Sequence, residues 1–134
     1  MRDALVDVAG HARILSASAD ALGPVYALIS VAGILRRRPS LDLVTEEDWD
    51  TQHAVNLKST FFLCRSAGRL MIDAGRGGRI ITFASQGWWT GGFGGSVVYA
   101  ASKGGVVSMT RGLARSFGPH RITVNCVAPG NVRT

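Results

Sequence analysis

The sequence predicts a parallel α/β sheet with helices on both faces. Three observations carry that expectation. Residues 25–30, 79–84 and 122–127 are short, nearly continuous apolar runs, the pattern of strands covered on both sides. Between them lie long segments whose apolar residues recur at spacings of three and four, the period of an amphipathic helix. Strand and helix alternate through the chain, an order that favours parallel strands joined by crossovers.

The elements follow in order. Residues 4–8, Ala-Leu-Val-Asp-Val, read as a short strand closed by Ala9-Gly10. Residues 11–22 form a helix with Ile14, Leu15, Ala19 and Leu22 as its apolar stripe, stopped by Gly23-Pro24. Residues 25–30 form the next strand, and 34–44 a loop containing Pro39. Thr45-Glu46-Glu47-Asp48 is a helix start, with a capping Thr, an Asp three residues later and acids in the first turn. That helix is expected to run to about Asp73, with Ala54, Leu57, Phe61, Cys64, Gly68 and Met71 on its buried stripe. Residues 75–78 turn the chain into strand 79–84, with Ser85 at its carboxyl end. A Gly-rich loop, 86–96, carries Trp88, Trp89 and Phe93, which read either as core or as an apolar wall of a substrate pocket. The helix 96–117 carries small residues, Ala100, Ala101, Gly104, Gly105 and Gly112, that would let another backbone approach closely, and Gly118-Pro119 ends it. Strand 122–127 is broken by Ala128-Pro129-Gly130.

Composition narrows the function classes. At 134 residues the length suits one domain, 1–134, and 46% hydrophobic against 18% charged residues argues against disorder. The net charge of +6 raises nucleic-acid binding, but no aromatic-basic interleaving accompanies it, and Arg36-Arg37-Arg38 reads as a solvated loop. Cys64 and Cys126 lack metal spacing and read as free buried thiols in a reducing compartment. His11, His53 and His120 have no metal geometry and read as surface or structural residues, so no metal is expected. The apolar run from Val25 to Leu35 is too short to span a bilayer, and Asp3 and Asp7 interrupt any signal-like core. A cytoplasmic chain without membrane or nucleic-acid partners is the expectation.

In parallel α/β sheets ligands bind at the carboxyl ends of the strands. Asp7, Ser30 to Gly33, Ser85 and Pro129-Gly130 all fall there. Tyr99 and Lys103, four apart on a helix, point the same way. A phenol ionises at about pH 10, and a neighbouring ammonium favours its ionised form, so the pair can serve as a proton donor or acceptor. Each residue also has a plainer reading. Asn56 can satisfy buried backbone groups, Ser85 can cap a strand end, and Asp7 can be a helix N-terminal acid.

Taken together, Ser30-Val31-Ala32-Gly33, Asn56 within Val55-Asn56-Leu57, Ser85, Tyr99-x-x-x-Lys103 and Pro129-Gly130 followed by Val132 and Thr134 resemble the short-chain dehydrogenase/reductase family, over essentially the whole chain. The resemblance implies a partial Rossmann-like sheet and a nicotinamide cofactor, NAD or NADP. It implies interconversion of a secondary alcohol and a carbonyl on a small-molecule substrate. Tyr99 is then the general acid or base, and Lys103 lowers its pKa and holds the nicotinamide ribose. Ser85 orients the substrate oxygen, and Asn56 fixes a water in a proton relay. Asp7 and Val8 would contact adenine. Ala32 and Gly33 would pass backbone close to the cofactor, and Pro129, Gly130, Val132 and Thr134 would border the nicotinamide. The two long helices would make homo-oligomer interfaces.

Three features depart from the family pattern. Its Asn-Asn-Ala-Gly motif is Ser30-Val31-Ala32-Gly33 here, and Ser85 precedes Tyr99 by fourteen residues, one more than the commonest spacing. No Gly-x-x-x-Gly-x-Gly phosphate-binding turn is present, so the chain is expected to be a truncated form lacking the first two strands and the last. Strand 25–30 is then an exposed apolar edge. The alternative function is an inactive module that dimerises or binds a partner through helices 46–73 and 96–117.

Overall fold

A computed structural model of the chain describes residues 6–131. Its sheet has three parallel strands, β1 (Ala27–Ser30), β2 (Gly78–Phe83) and β3 (Ile122–Val127), in the spatial order β1-β2-β3. Ile29 pairs with Ile81, and Ile81 in turn with Asn125. The strand ends that follow Ser30, Phe83 and Val127 therefore lie side by side, and the loops leaving them share one edge of the molecule.

The helices are α1 (Val8–Leu22), α2 (Glu46–His53), α3 (Ser59–Ala74), the single turn α4 (Gly87–Thr90) and α5 (Val97–Phe117). The start of α2 is as the sequence dictates. Thr45 Oγ1 accepts from Asp48 N at 3.1 Å and Asp48 Oδ2 accepts from Thr45 N at 3.2 Å, a reciprocal capping box. The end of α3 is set by Gly75, whose φ of 69° is left-handed and closes the last turn onto Ile72 O.

Leu15 of α1, Cys64 and Met71 of α3, Leu113 of α5, and Ile80 and Ile122 of the strands form one core. Thr82 and Thr110 share a buried hydrogen bond of 2.8 Å where α5 crosses β2. Alternate strand residues face the other way: Arg79, Thr123, Asn125 and Ile29 are exposed. Among the described residues α1, α3 and α5 share one core against the same sheet face. Both crossovers travel in the same direction across the sheet, and right-handed crossovers in one direction put their helices on one side. The other face and the free edge of β1 present Tyr26, Ile29 and Val31 to solvent, the apolar edge the sequence foretold.

Four expectations change. Within the strand expected at 4–8, residues 4 and 5 lie outside the described residues, and the helix α1 already begins at Val8. No neighbouring strand offers Asp7 or Val8 ladder hydrogen bonds among the described residues, whereas helical bonds are satisfied locally. Helix 46–73 is not continuous α-helix: Ala54–Lys58 form a π-helical turn between α2 and α3. The arginine run is not simply solvated. Arg38 grips Asp48 through two bonds of 2.7 and 2.8 Å, and Arg36 reaches Glu47 and Asp48. Cys126 is half-buried rather than buried, while Cys64 is fully enclosed and burial pushes its thiol up to about 12. No helix among the described residues is long and apolar enough to cross a membrane.

Candidate active site

Asn56 sits in the π-helical turn, where the widened backbone frees carbonyls that α-helical bonds would normally occupy. Two hydroxyls compensate: Ser59 Oγ donates to Val55 O, and Thr60 Oγ1 to Asn56 O at 2.8 Å. The turn lets the fully buried Asn56 side chain reach the loop after β1. Its Oδ1 accepts from Ile34 N at 2.8 Å and its Nδ2 donates to Ile34 O at 2.9 Å, the pairing a strand neighbour would make. The same Nδ2 donates to Ser102 Oγ at 3.0 Å, and Ser102 Oγ donates to Tyr99 O at 2.7 Å.

Lys103 follows on the same helix. Its ammonium donates to Phe83 O, at the end of β2, at 2.7 Å and lies 5.7 Å from the Tyr99 ring centre. Only 4% of the residue is exposed, and this burial lowers its pKa, opposed by the nearby Cys126 thiol. Gly33 passes directly beside these groups. A Cβ built there would stand 3.3 Å from both Asn56 Oδ1 and Lys103 Nζ. Backbone after β1, the π-helical turn and α5 therefore converge on one point, which explains why residue 33 has no side chain.

Ser85 and Tyr99 open onto a shared cleft of about 410 Å³. Ser85 Oγ accepts from Gly87 N at 3.3 Å, which fixes it at the mouth of α4. Gly130 and Asn131 form the far wall, held by Gln86: its N–H donates to Pro129 O at 2.9 Å and its side chain to Asn131 Oδ1 at 3.3 Å. Phe93 lines the cleft from the Gly-rich loop. Trp88 and Trp89 do not line it, and at 42% and 75% exposure neither packs as core.

Asn56, Ser85, Tyr99, Lys103, Gly33 and Gly130 are thus gathered at one edge, with Ala32 exposed beside Gly33. Asp7 and Val8 do not line the cleft. Asp7 occupies the N-cap position of α1, where the Gly10 amide beside it, aided by Arg13 at 3.0 Å, lowers its carboxyl pKa. Val132 and Thr134 lie outside the described residues. Sequence reasoning missed Ser102, Gln86, Asn131 and Arg37. Ser102 carried a usable signal, since it stands three residues after Tyr99 on the buried side of α5; the others depend on loop conformation.

The model of the family described as short chain dehydrogenase matches residues 3–134. The chain is 38% identical over 128 residues to 2-dehydro-3-deoxy-D-gluconate 5-dehydrogenase of Dickeya dadantii, covering 96% of this chain and 50% of that protein. It is 40% identical over 111 residues to (3R)-3-hydroxyacyl-CoA dehydrogenase of Rattus norvegicus, covering 83% and 42%. The crystal structure of a short chain dehydrogenase from Mycobacterium smegmatis superposes with a TM-score of 0.90 at 26% identity, over 96% of this chain and 53% of that one. The chain spans about half the length of the curated relatives it matches.

Proposed function

The chain belongs to the short-chain dehydrogenase/reductase family, and from that membership we propose that it carries the proton-transfer half of an NAD- or NADP-dependent dehydrogenase acting on a secondary alcohol or carbonyl. The observation that carries this reading is the convergence of Tyr99, Lys103, Asn56 and Gly33 beside the cleft that Ser85 shares with Tyr99.

The residues present fit the nicotinamide end of such a cofactor. The backbone at Gly33 has no Cβ to obstruct close approach, the Lys103 ammonium is beside it, and Gly130 borders the cleft next to Pro129. Tyr99, Lys103, Gly33 and Pro129-Gly130 would hold it. The cofactor, when bound, supplies or accepts the hydride. Ser85 Oγ hydrogen-bonds the substrate oxygen and orients it. Tyr99 gives a proton to that oxygen in reduction and takes one in oxidation. Lys103, anchored on Phe83 O, supplies positive charge one helical turn away. Asn56 holds the loop of Ile34 and, through Ser102, the backbone of Tyr99, and its π-helical turn is where a relay water would be fixed.

A second observation supports assembly through the long helices. An apolar groove of about 750 Å³ runs between the π-helical turn and α5, with Leu57, Phe61, Phe62 and Met109 on its walls. A homo-oligomer that covers this groove is the reading we favour for it, and it is compatible with catalysis. Reduced-nicotinamide absorbance, followed with NAD and NADP over a panel of secondary alcohols and ketones, tests the function. Turnover that Tyr99→Phe abolishes is the expected result; cofactor-independent chemistry, or turnover unaffected by that change, overturns it.

A further inference from the structure

The three consecutive arginines have different fates. Arg36 and Arg38 are neutralised by Asp48 and Glu47. Arg37 instead lines the cleft of Ser85 and Tyr99. Its Nη1 donates to Phe93 O at 3.0 Å and to Gly94 O at 3.2 Å. Two neutral carbonyls on one nitrogen fix the guanidinium in place without cancelling its charge. Nε and Nη2 have no hydrogen-bond partner among the described residues, and no acidic residue lines the cleft. A guanidinium edge held in this way is the geometry that takes a carboxylate through two parallel bonds.

We propose that Arg37 is an anion clamp and that the substrate is a small hydroxy or oxo acid, its carboxylate on Arg37 and its reacting oxygen between Ser85 and Tyr99. This deepens the dehydrogenase reading and rests on it. Size and charge narrow the class. The cleft, at about 410 Å³, is near the lower end of ligand sites, about 300–1,000 Å³. Arg37 is the one cation among the residues lining it, which matches a monoanion better than a phosphate dianion. Gln86 and Asn131, on the opposite wall, offer amides suited to further hydroxyls.

The test pairs each acid with its neutral amide, from 3-hydroxybutanoate to 3-hydroxyhexanoate. Binding to the full chain is measured by protein-detected titration with NAD or NADP present. The acids are expected to bind about ten- to a hundredfold more tightly than the amides, the worth of a hydrogen-bonded charge. Arg37→Gln should abolish that preference, and Arg37→Lys, which keeps the charge, should retain part of it. Equal affinity for acid and amide overturns the clamp. So does binding of neither probe, a preference that survives Arg37→Gln, or a Lys variant no better than the Gln one. Turnover is scored separately. Equal kcat/KM for acid and amide leaves the dehydrogenase reading standing and overturns the clamp. Acid-selective binding lost in Arg37→Gln, without turnover, supports the clamp and counts against the dehydrogenase reading.

Discussion

Asn56 Nδ2 donates to Ser102 Oγ at 3.0 Å, joining a π-helical turn to the helix that carries Tyr99 and Lys103 across a sequence distance of 46 residues. Ser102 passes the link on to Tyr99 O. The Tyr99 backbone and the loop of Ile34 are therefore mechanically one unit, and Asn56 is its hub.

Removing that hub should cost stability as well as rate. Asn56→Ala strips the partners from Ile34 N and Ile34 O and leaves a buried gap. The expected loss is about 2–4 kcal/mol in urea unfolding, from unpaired buried groups. Ser102→Ala removes one donor and one acceptor from the chain of bonds and should cost about 1 kcal/mol. A loss for Ser102→Ala as large as that for Asn56→Ala would show that the hub is misplaced.

Gly33→Ala separates site from scaffold. The new methyl group would sit 3.3 Å from both Asn56 Oδ1 and Lys103 Nζ, and the lysine end can give way. Stability should fall by less than about 1 kcal/mol, while nicotinamide affinity falls by about tenfold or more, a loss of about 1.4 kcal/mol. Unfolding curves and cofactor titration on the same preparation check both halves.

Asp48 sets the acid limit of the fold. Hydrogen bonding to Arg38 first, then to the Thr45 backbone, holds its carboxyl well below the usual aspartate range. A group whose folded pKa is depressed stabilises the fold at pH above its unfolded value, about 3.9, and this contribution is lost as pH falls from there through the folded value. Stability should therefore be level from neutral pH down to about 5 and decline below about 4. Asp48→Asn should be less stable at neutral pH and show a shallower acid decline. Urea midpoints across that pH range decide it.

Much of this was legible in the chain. Three strands, the Thr45 cap, both long helices and the Tyr99–Lys103 spacing are short-range patterns, and short-range physics fixes them. What was not legible depends on partners distant in sequence. α1, α3 and α5 gather on one face because of crossover direction, which residue periodicity does not encode. The π-helical turn reads as ordinary helix, since Ala54 to Lys58 have no breaker and Ser59 and Thr60 mend the backbone. The arginine run looked solvated because its acids, Glu47 and Asp48, lie ten or more residues away and had already been assigned to a helix start. Trp88 and Trp89 attracted a pocket role because their loop joins Ser85 to Tyr99, yet of the three aromatic residues on that loop only Phe93 lines the cleft.

The chemistry proposed for the cleft depends above all on the phenol oxygen of Tyr99. The decisive measurement is kcat for a secondary alcohol with NAD or NADP, in the unaltered chain and in Tyr99→Phe, beside unfolding curves for both. Loss of a positioned acid or base predicts a fall of about 100- to 10,000-fold in kcat, with stability unchanged within about 0.5 kcal/mol. A Tyr99→Phe chain that turns over as fast as the unaltered one would rule out Tyr99 as the proton donor and acceptor.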